Sequence, residues 1–136
     1  MTADRKNIKI LIADDEKDVL EITARKIASL GYTVIAAEDG EDALEKIKME
    51  SPDVIVLDLS MPKVDGLSVL EEIRKNPPDK NKWQPVIIVS GRGELEDFKK
   101  GYTLEADHYL VKPCNIEDII KGIELMLKMI PQRKLF

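Results

Sequence analysis

Asp53-Val54-Ile55-Val56-Leu57-Asp58-Leu59-Ser60-Met61-Pro62 is a run of β-branched and apolar residues that ends in a carboxylate. Val54 to Leu57 shows no alternation and is too short for a helix, so it reads as a strand buried on both faces, as in a parallel sheet covered by helices. A charge at the end of such a strand has to leave the core. Ligands of open α/β sheets bind beyond the carboxyl ends of the strands, which makes Asp58 a candidate for chemistry beside the plainer role of a helix N-cap.

Outward from this stretch, strand and helix alternate. Residues 8–13, 33–37, 85–90 and 107–112 read as the other strands. After the first strand, Val19, Ile22, Thr23, Lys26, Ile27 and Leu30 recur at spacings of three and four, and Gly31 ends that helix; this face is expected to pack on the sheet. Asp39-Gly40 turns into a helix carrying Ala43, Leu44, Ile47 and Lys48, which Ser51-Pro52 stops. Asp65-Gly66 opens a helix with Leu67, Val69, Leu70 and Ile73 facing inward. A polar loop over residues 76–84 follows, with Trp83 expected to pin it to the body. Leu95, Phe98 and Tyr102 mark a helix before the fifth strand. Asn115, with Asp118 three residues on, forms a variant of the capping box for a last helix running to about Ile130. The alternation implies right-handed crossovers and an α/β fold: a flavodoxin-like, doubly wound (βα)5 parallel sheet in strand order 2-1-3-4-5.

The 136 residues suit one domain, placed over residues 7–130 with short extensions at 1–6 and 131–136. With 21 basic and 26 acidic residues the net charge is −5, which gives no bulk attraction for nucleic acid or an anionic membrane. The single cysteine, Cys114, forms no internal disulfide. The N-terminus lacks the apolar core of a signal peptide, and no apolar run approaches the ~20 residues that span a bilayer, so a cytoplasmic protein is expected.

The polar residues fall at strand ends: Asp14 and Asp15 after strand one, Asp58 after strand three, Ser90 after strand four, Lys112 after strand five. In the order 2-1-3-4-5 these strands are consecutive neighbours about 4.8 Å apart, so every candidate lies on one rim. Lys112, about 10 Å across from Asp58, can reach it along its four-carbon stem. Three converging carboxylates raise one another's pKa unless a cation intervenes. A few oxygen ligands completed by water suit Mg2+, and no His/Cys cluster exists for zinc, since His108 lies inside strand five and Cys114 follows a proline. A Mg2+ site beside a free carboxylate, a hydroxyl and an ammonium group is a phosphoryl site, where Lys112 neutralises the transferring group and Asp58 attacks in line.

Asp14-Asp15, Asp58-Leu59-Ser60-Met61-Pro62, Asp65-Gly66, Ser90 and Tyr109-Leu110-Val111-Lys112-Pro113 together resemble, in order and spacing, the receiver domain of two-component response regulators. The resemblance implies that Asp58 accepts a phosphoryl group from a phosphohistidine on a sensor histidine kinase or histidine phosphotransfer protein. Asp15, Asp58 and the main-chain carbonyl of Ser60 would ligate Mg2+, with Asp14 holding it mainly through water. Lys112 would contact the phosphoryl group, Ser90 would be the switch hydroxyl, Tyr109 the switch aromatic, and the Lys112-Pro113 peptide would be cis. Two departures stand out. Glu105-Ala106-Asp107 replaces the Gly-Ala that family members usually carry before strand five, and Ser60 and Arg92 occupy positions that tune phosphoryl lifetime in the family.

The competing reading is a Mg-dependent aspartyl-phosphate phosphatase or phosphotransferase acting on small substrates. Haloacid-dehalogenase-like enzymes of that kind carry Asp-x-Asp after the first strand and a cap domain, whereas Asp14 and Asp15 are adjacent here. Only six residues follow Ile130, so the chain is expected to signal by contact, without a nucleic-acid-binding or enzymatic output domain, and to promote only its own phosphorylation and dephosphorylation. In the last helix, Ile116, Ile119, Ile120, Ile123, Leu127 and Ile130 form the stripe expected to face the sheet. Gly122, Leu125, Met126 and Met129 broaden the apolar arc. Either they wrap around the sheet edge or touch the tail at residues 131–136, or they belong to a face of the fourth helix, fifth strand and fifth helix that the resemblance marks as phosphorylation-sensitive, for homodimerisation or a downstream partner.

Overall fold

The computed structural model describes residues 5–61, 63–91 and 106–133, the last three of these by backbone alone. Its strands are β1 (Lys9–Ala13), β2 (Thr33–Ala37), β3 (Val54–Asp58), β4 (Val86–Gly91) and β5 (His108–Lys112). All pair in parallel, in the order β2-β1-β3-β4-β5. The helices are α1 (Lys17–Ser29), α2 (Gly40–Glu50), α3 (Gly66–Lys75) and the C-terminal helix (Ile116–Arg133). The helix expected around Leu95, Phe98 and Tyr102, the terminal extensions at residues 1–4 and 134–136, and the positions of Arg92 and Glu105 lie outside the described residues.

The three central strands alternate between two cores because side chains along a strand point to opposite faces. Leu11, Ile55, Leu57, Val86 and Ile88 face α2 and α3. Ile10, Ile12, Val54, Val56, Ile87 and Val89 face α1 and the C-terminal helix. Each fully buried aliphatic side chain contributes about 1.5–3 kcal/mol, so this double coverage, more than strand propensity, holds β3 at the centre. Trp83 packs partly buried against the second core, as expected.

Local signals set the helix starts. The Asp39 and Asp65 carboxylates accept from the main-chain N–H of Asp42 and Ser68, each at 2.8 Å. Asn115 and Asp118 bond reciprocally, Oδ1 of Asn115 accepting from Asp118 N at 2.9 Å and Asp118 Oδ2 from Asn115 N at 3.2 Å. At the far end of the sheet Arg74 donates to the Gln84 carbonyl at 2.9 Å and to Asp107 Oδ2 at 2.8 Å, and that same oxygen accepts from Val86 N. The start of edge strand β5 is thereby tied to α3 and β4.

One helix face differs from the sequence expectation. In α1 the packed residues are Leu20, Thr23 and Ile27, while Val19 and Ile22 are 43% and 58% exposed. Apolar residues at 19, 20 and 22 permit two stripes roughly 100° apart around the helix, and the sheet takes the one through Leu20. In the C-terminal helix Ile119, Ile120, Ile123 and Leu127 of the expected stripe pack on the second core, joined by Met126 and Met129 with Gly122 buried beside them, while Leu125 remains outside. No helix among the described residues is long and apolar enough to cross a membrane.

Candidate functional site

Asp58 is the last residue of β3, a strand buried at all five positions, and it is itself only 2% exposed. A carboxylate so placed needs partners, and the fold supplies them from two sides. Its Oδ2 accepts from Lys112 Nζ at 2.7 Å, and its Oδ1 accepts from Ser60 N at 3.0 Å. Lys112 reaches across from β5, two strands away, as the strand order requires.

Asp14 follows β1 and is half-buried; its Oδ1 accepts from Glu16 N at 2.9 Å, which shapes the turn into α1. Asp15 beside it is exposed. One carboxylate oxygen from each of Asp14, Asp15 and Asp58 lies within 4.8 Å of the others. Burial pushes the Asp58 carboxyl above the ordinary carboxylate range, and the Asp14 charge adds to this, while the bonds from Lys112 and Ser60 N pull the other way. Asp14 is raised chiefly by burial as well, against the opposing bond from Glu16 N. For Lys112 burial works to lower the pKa, and the hydrogen bond and charge of Asp58, with Asp14 and Glu16, override it upward. The cluster therefore lacks positive charge. Its donor set is oxygen only, which fits a hard divalent cation such as Mg2+ and suits zinc poorly.

Ser90 is fully buried on β4, one residue beyond Val89, which pairs with Asp58 in the ladder. Its hydroxyl finds no hydrogen-bond partner among the described residues, an unusual state for a buried hydroxyl unless another group arrives. Tyr109 lies on β5 opposite Ile88 and packs partly buried against the core shared with α2 and α3. The Lys112-Pro113 peptide is cis. Asp14, Asp15, Asp58, Ser90 and Lys112 thus lie along the carboxyl ends of their strands, whereas Tyr109 sits inside β5, three residues before Lys112.

The sequence reading missed what braces the loop after β3. An atom built as Cβ on Gly66 would lie 2.5 Å from the Asp58 carbonyl oxygen, and one on Gly40 would lie 1.5 Å from the Val64 carbonyl oxygen. Both glycines are close-approach points rather than mere turn formers. Lys63, at φ 67, adds an ion pair to Asp39 at 3.4 Å. Asp39-Gly40 and Asp65-Gly66 hinted at turns, but nothing local in sequence reveals which backbone lies opposite.

Comparison with known proteins follows the same geometry. The family model for the response regulator receiver domain matches residues 10–124. A relative described as "Probable transcriptional regulator ycf27" from Guillardia theta is 38% identical over 120 residues, covering 88% of this chain and 45% of that protein. The chain spans about half the length of the curated relatives it matches. Among solved structures, the receiver domain of the Francisella response regulator 1452 aligns with a TM-score of 0.79 at 35% identity, covering 90% of this chain and 98% of that one. A CheY-like receiver domain protein from Methanospirillum hungatei aligns with a TM-score of 0.84 at 28% identity, covering 93% and 98%.

Proposed function

We propose, from the premise that this chain belongs to the family of response regulator receiver domains, that Asp58 accepts a phosphoryl group from a phosphohistidine of a sensor histidine kinase or histidine phosphotransfer protein. The observation that carries this reading is the Asp58 carboxylate, buried at the end of an apolar strand, 2.7 Å from Lys112 Nζ and clustered with Asp14 and Asp15. In the transfer, a P–O bond forms at an Asp58 carboxylate oxygen as the P–N bond to the donor imidazole breaks, and the imidazole nitrogen keeps that bond's electron pair. Lys112 neutralises the oxygens of the transferring group, and Ser60 N holds the carboxylate in place. Asp15, Asp58 and the Ser60 carbonyl, with Asp14 mainly through water, would hold Mg2+, which supplies the positive charge that lets an anionic group enter an acidic cluster.

Once phosphorylated, Asp58 carries more negative charge, and the Ser90 hydroxyl, buried without a hydrogen-bond partner among the described residues, would meet it with a charge-assisted hydrogen bond. Movement of that hydroxyl and of Tyr109 alters the β5 edge. The test is incubation with Mg2+ and acetyl phosphate followed by intact mass. A stoichiometric, base-labile phosphate adduct on Asp58 is expected, and steady turnover of phosphate without an adduct would favour the phosphatase reading.

Beside that edge, Val111 on β5 and Leu125 on the C-terminal helix are 45% and 46% exposed. These two residues offer the apolar contact through which a second copy or a downstream protein reads the phosphorylated state. Beryllium fluoride with Mg2+ is expected to shift the chain toward dimers in sedimentation, and Leu125→Glu to abolish the shift. A monomer in both states rules out self-association and leaves a different protein as the reader.

A further inference from the structure

Beside the acidic rim, between α1 and the first turns of the C-terminal helix, lies a cavity of about 460 Å3. This is within the size range of small-molecule sites. Its composition is graded from one end to the other. Asp14, Glu16, Asp58 and Lys112 stand at the carboxyl edge of the sheet; below them the walls are Leu20, Val56, Val89 and Ile119. Thr23, also on the lining, is six residues along α1 from Lys17, about 9 Å down the helix axis. Val19 stands at the mouth, 43% exposed.

The two ends select different chemistry. The lower part excludes charge, because an ion there would lose hydration with no partner. Among the described residues, three carboxylates at the upper end face one ammonium group, and the Lys112 ammonium is already engaged with Asp58 at 2.7 Å. Of these, Asp14 and Glu16 remain to attract a cation. We propose that this cavity is a binding site for a small molecule with a compact apolar body and a single cationic head, the body lying among Leu20, Val56, Val89 and Ile119 and the head against Asp14 and Glu16. An occupant seated so covers Asp58, and, resting on the reading of Asp58 as the acceptor, it slows phosphorylation.

Phenylpropylamine is a probe of this shape, with phenylpropanol and phenylpropanoate as neutral and anionic counterparts. Titrated into the metal-free protein and followed by methyl NMR, the amine is expected to bind saturably, with shifts centred on Leu20, Thr23, Val56, Val89 and Ile119. It should bind about fivefold more tightly than the alcohol, the advantage of a partly exposed ion pair, and the carboxylate more weakly than either. Val19→Trp, which puts an indole at the mouth, is expected to remove the binding. In parallel, adduct formation from acetyl phosphate should fall with amine occupancy in wild type and hold at the variant's own uninhibited rate in Val19→Trp. Shifts scattered over the surface, no preference for the amine, or equal binding by Val19→Trp would overturn the proposal. Absence of any adduct without the amine would strike the acceptor reading instead, and the NMR titration would still decide the cavity.

Discussion

Asp58→Asn is expected to yield no phosphorylated species under conditions that should convert the wild type, and to raise the stability of the metal-free protein. The amide keeps the shape of the carboxylate and its bond from Ser60 N but lacks the nucleophilic charge, so adduct formation measured by intact mass falls to background. The stability gain follows from the direction of the pKa. In the folded protein the Asp58 carboxyl is raised, first by burial and further by Asp14, despite the opposing bonds from Lys112 and Ser60 N. A carboxyl raised above its unfolded value contributes stability that is present below the unfolded pKa and is lost as pH rises through the folded pKa. Near neutral pH the wild type has lost that contribution, whereas the asparagine has nothing to ionise. In EDTA the mutant should therefore unfold at higher denaturant than wild type at pH 7, with the gap narrowing as pH falls toward 4. Millimolar Mg2+ is expected to close the gap by stabilising the wild type, because on the proposed reading it would bind the folded cluster and not the unfolded chain. A mutant less stable than wild type at pH 7 in EDTA would show that the Lys112 ion pair outweighs the burial of the charge.

How much of this was legible in the sequence depends on the range of the interaction that decides each feature. β3 was readable because a strand buried on both faces leaves an uninterrupted apolar run, and its end was readable because a carboxylate there has nowhere to go but out. Strand alternation then placed Asp14, Asp15, Ser90 and Lys112 on the same rim before any distance was known, and the 2.7 Å contact between Lys112 and Asp58 is the consequence. The faces of α1 and the C-terminal helix were less legible. Val19, Leu20 and Ile22 are all apolar, so periodicity alone cannot rank the stripe through Leu20 above its neighbour, and the choice falls to the shape of the sheet beneath. Met126 has the same history: a flexible apolar side chain reads equally as core or docking surface until the neighbouring Ile123 is seen to be inside. The cavity beside Asp58 is lined from four strands and two helices, and no local pattern announces it. The two close-approach glycines were the least legible, since their meaning lies in backbone atoms that are distant or turned back in the chain.

Gly66→Ala is the sharpest test of that last point. Gly66 opens α3 at ordinary negative φ, so an alanine there suffers no backbone penalty and would help the helix if space alone were free. Space is not free: the added carbon would lie 2.5 Å from the Asp58 carbonyl oxygen and 2.9 Å from Leu59 Cα. Neither side can yield easily. Leu59 N is bonded to the Val89 carbonyl at 3.1 Å and Gly66 N to the Leu59 carbonyl at 3.1 Å, so relief means parting α3 from the end of β3. Overpacking of this kind costs about 1–3 kcal/mol, and the loss is expected as a lower urea midpoint. Because the atoms displaced belong to Asp58 and Leu59, phosphoryl acceptance should slow as well, an effect a remote destabilising change would not produce in protein that is still fully folded. Gly40→Ala, with its carbon 1.5 Å from the Val64 carbonyl oxygen, should be costlier still. Gly122→Ala is the control, since its carbon would meet only side-chain atoms of His108 and Ile87 at 3.2 and 3.3 Å. Those side chains can shift by tenths of an ångström, and replacing glycine inside a helix returns up to about 1 kcal/mol, so its midpoint should stay close to wild type. Equal midpoints for Gly66→Ala and Gly122→Ala would mean that the loop after Asp58 gives way freely, and that its position on the rim is set by something other than the packing of α3 against it.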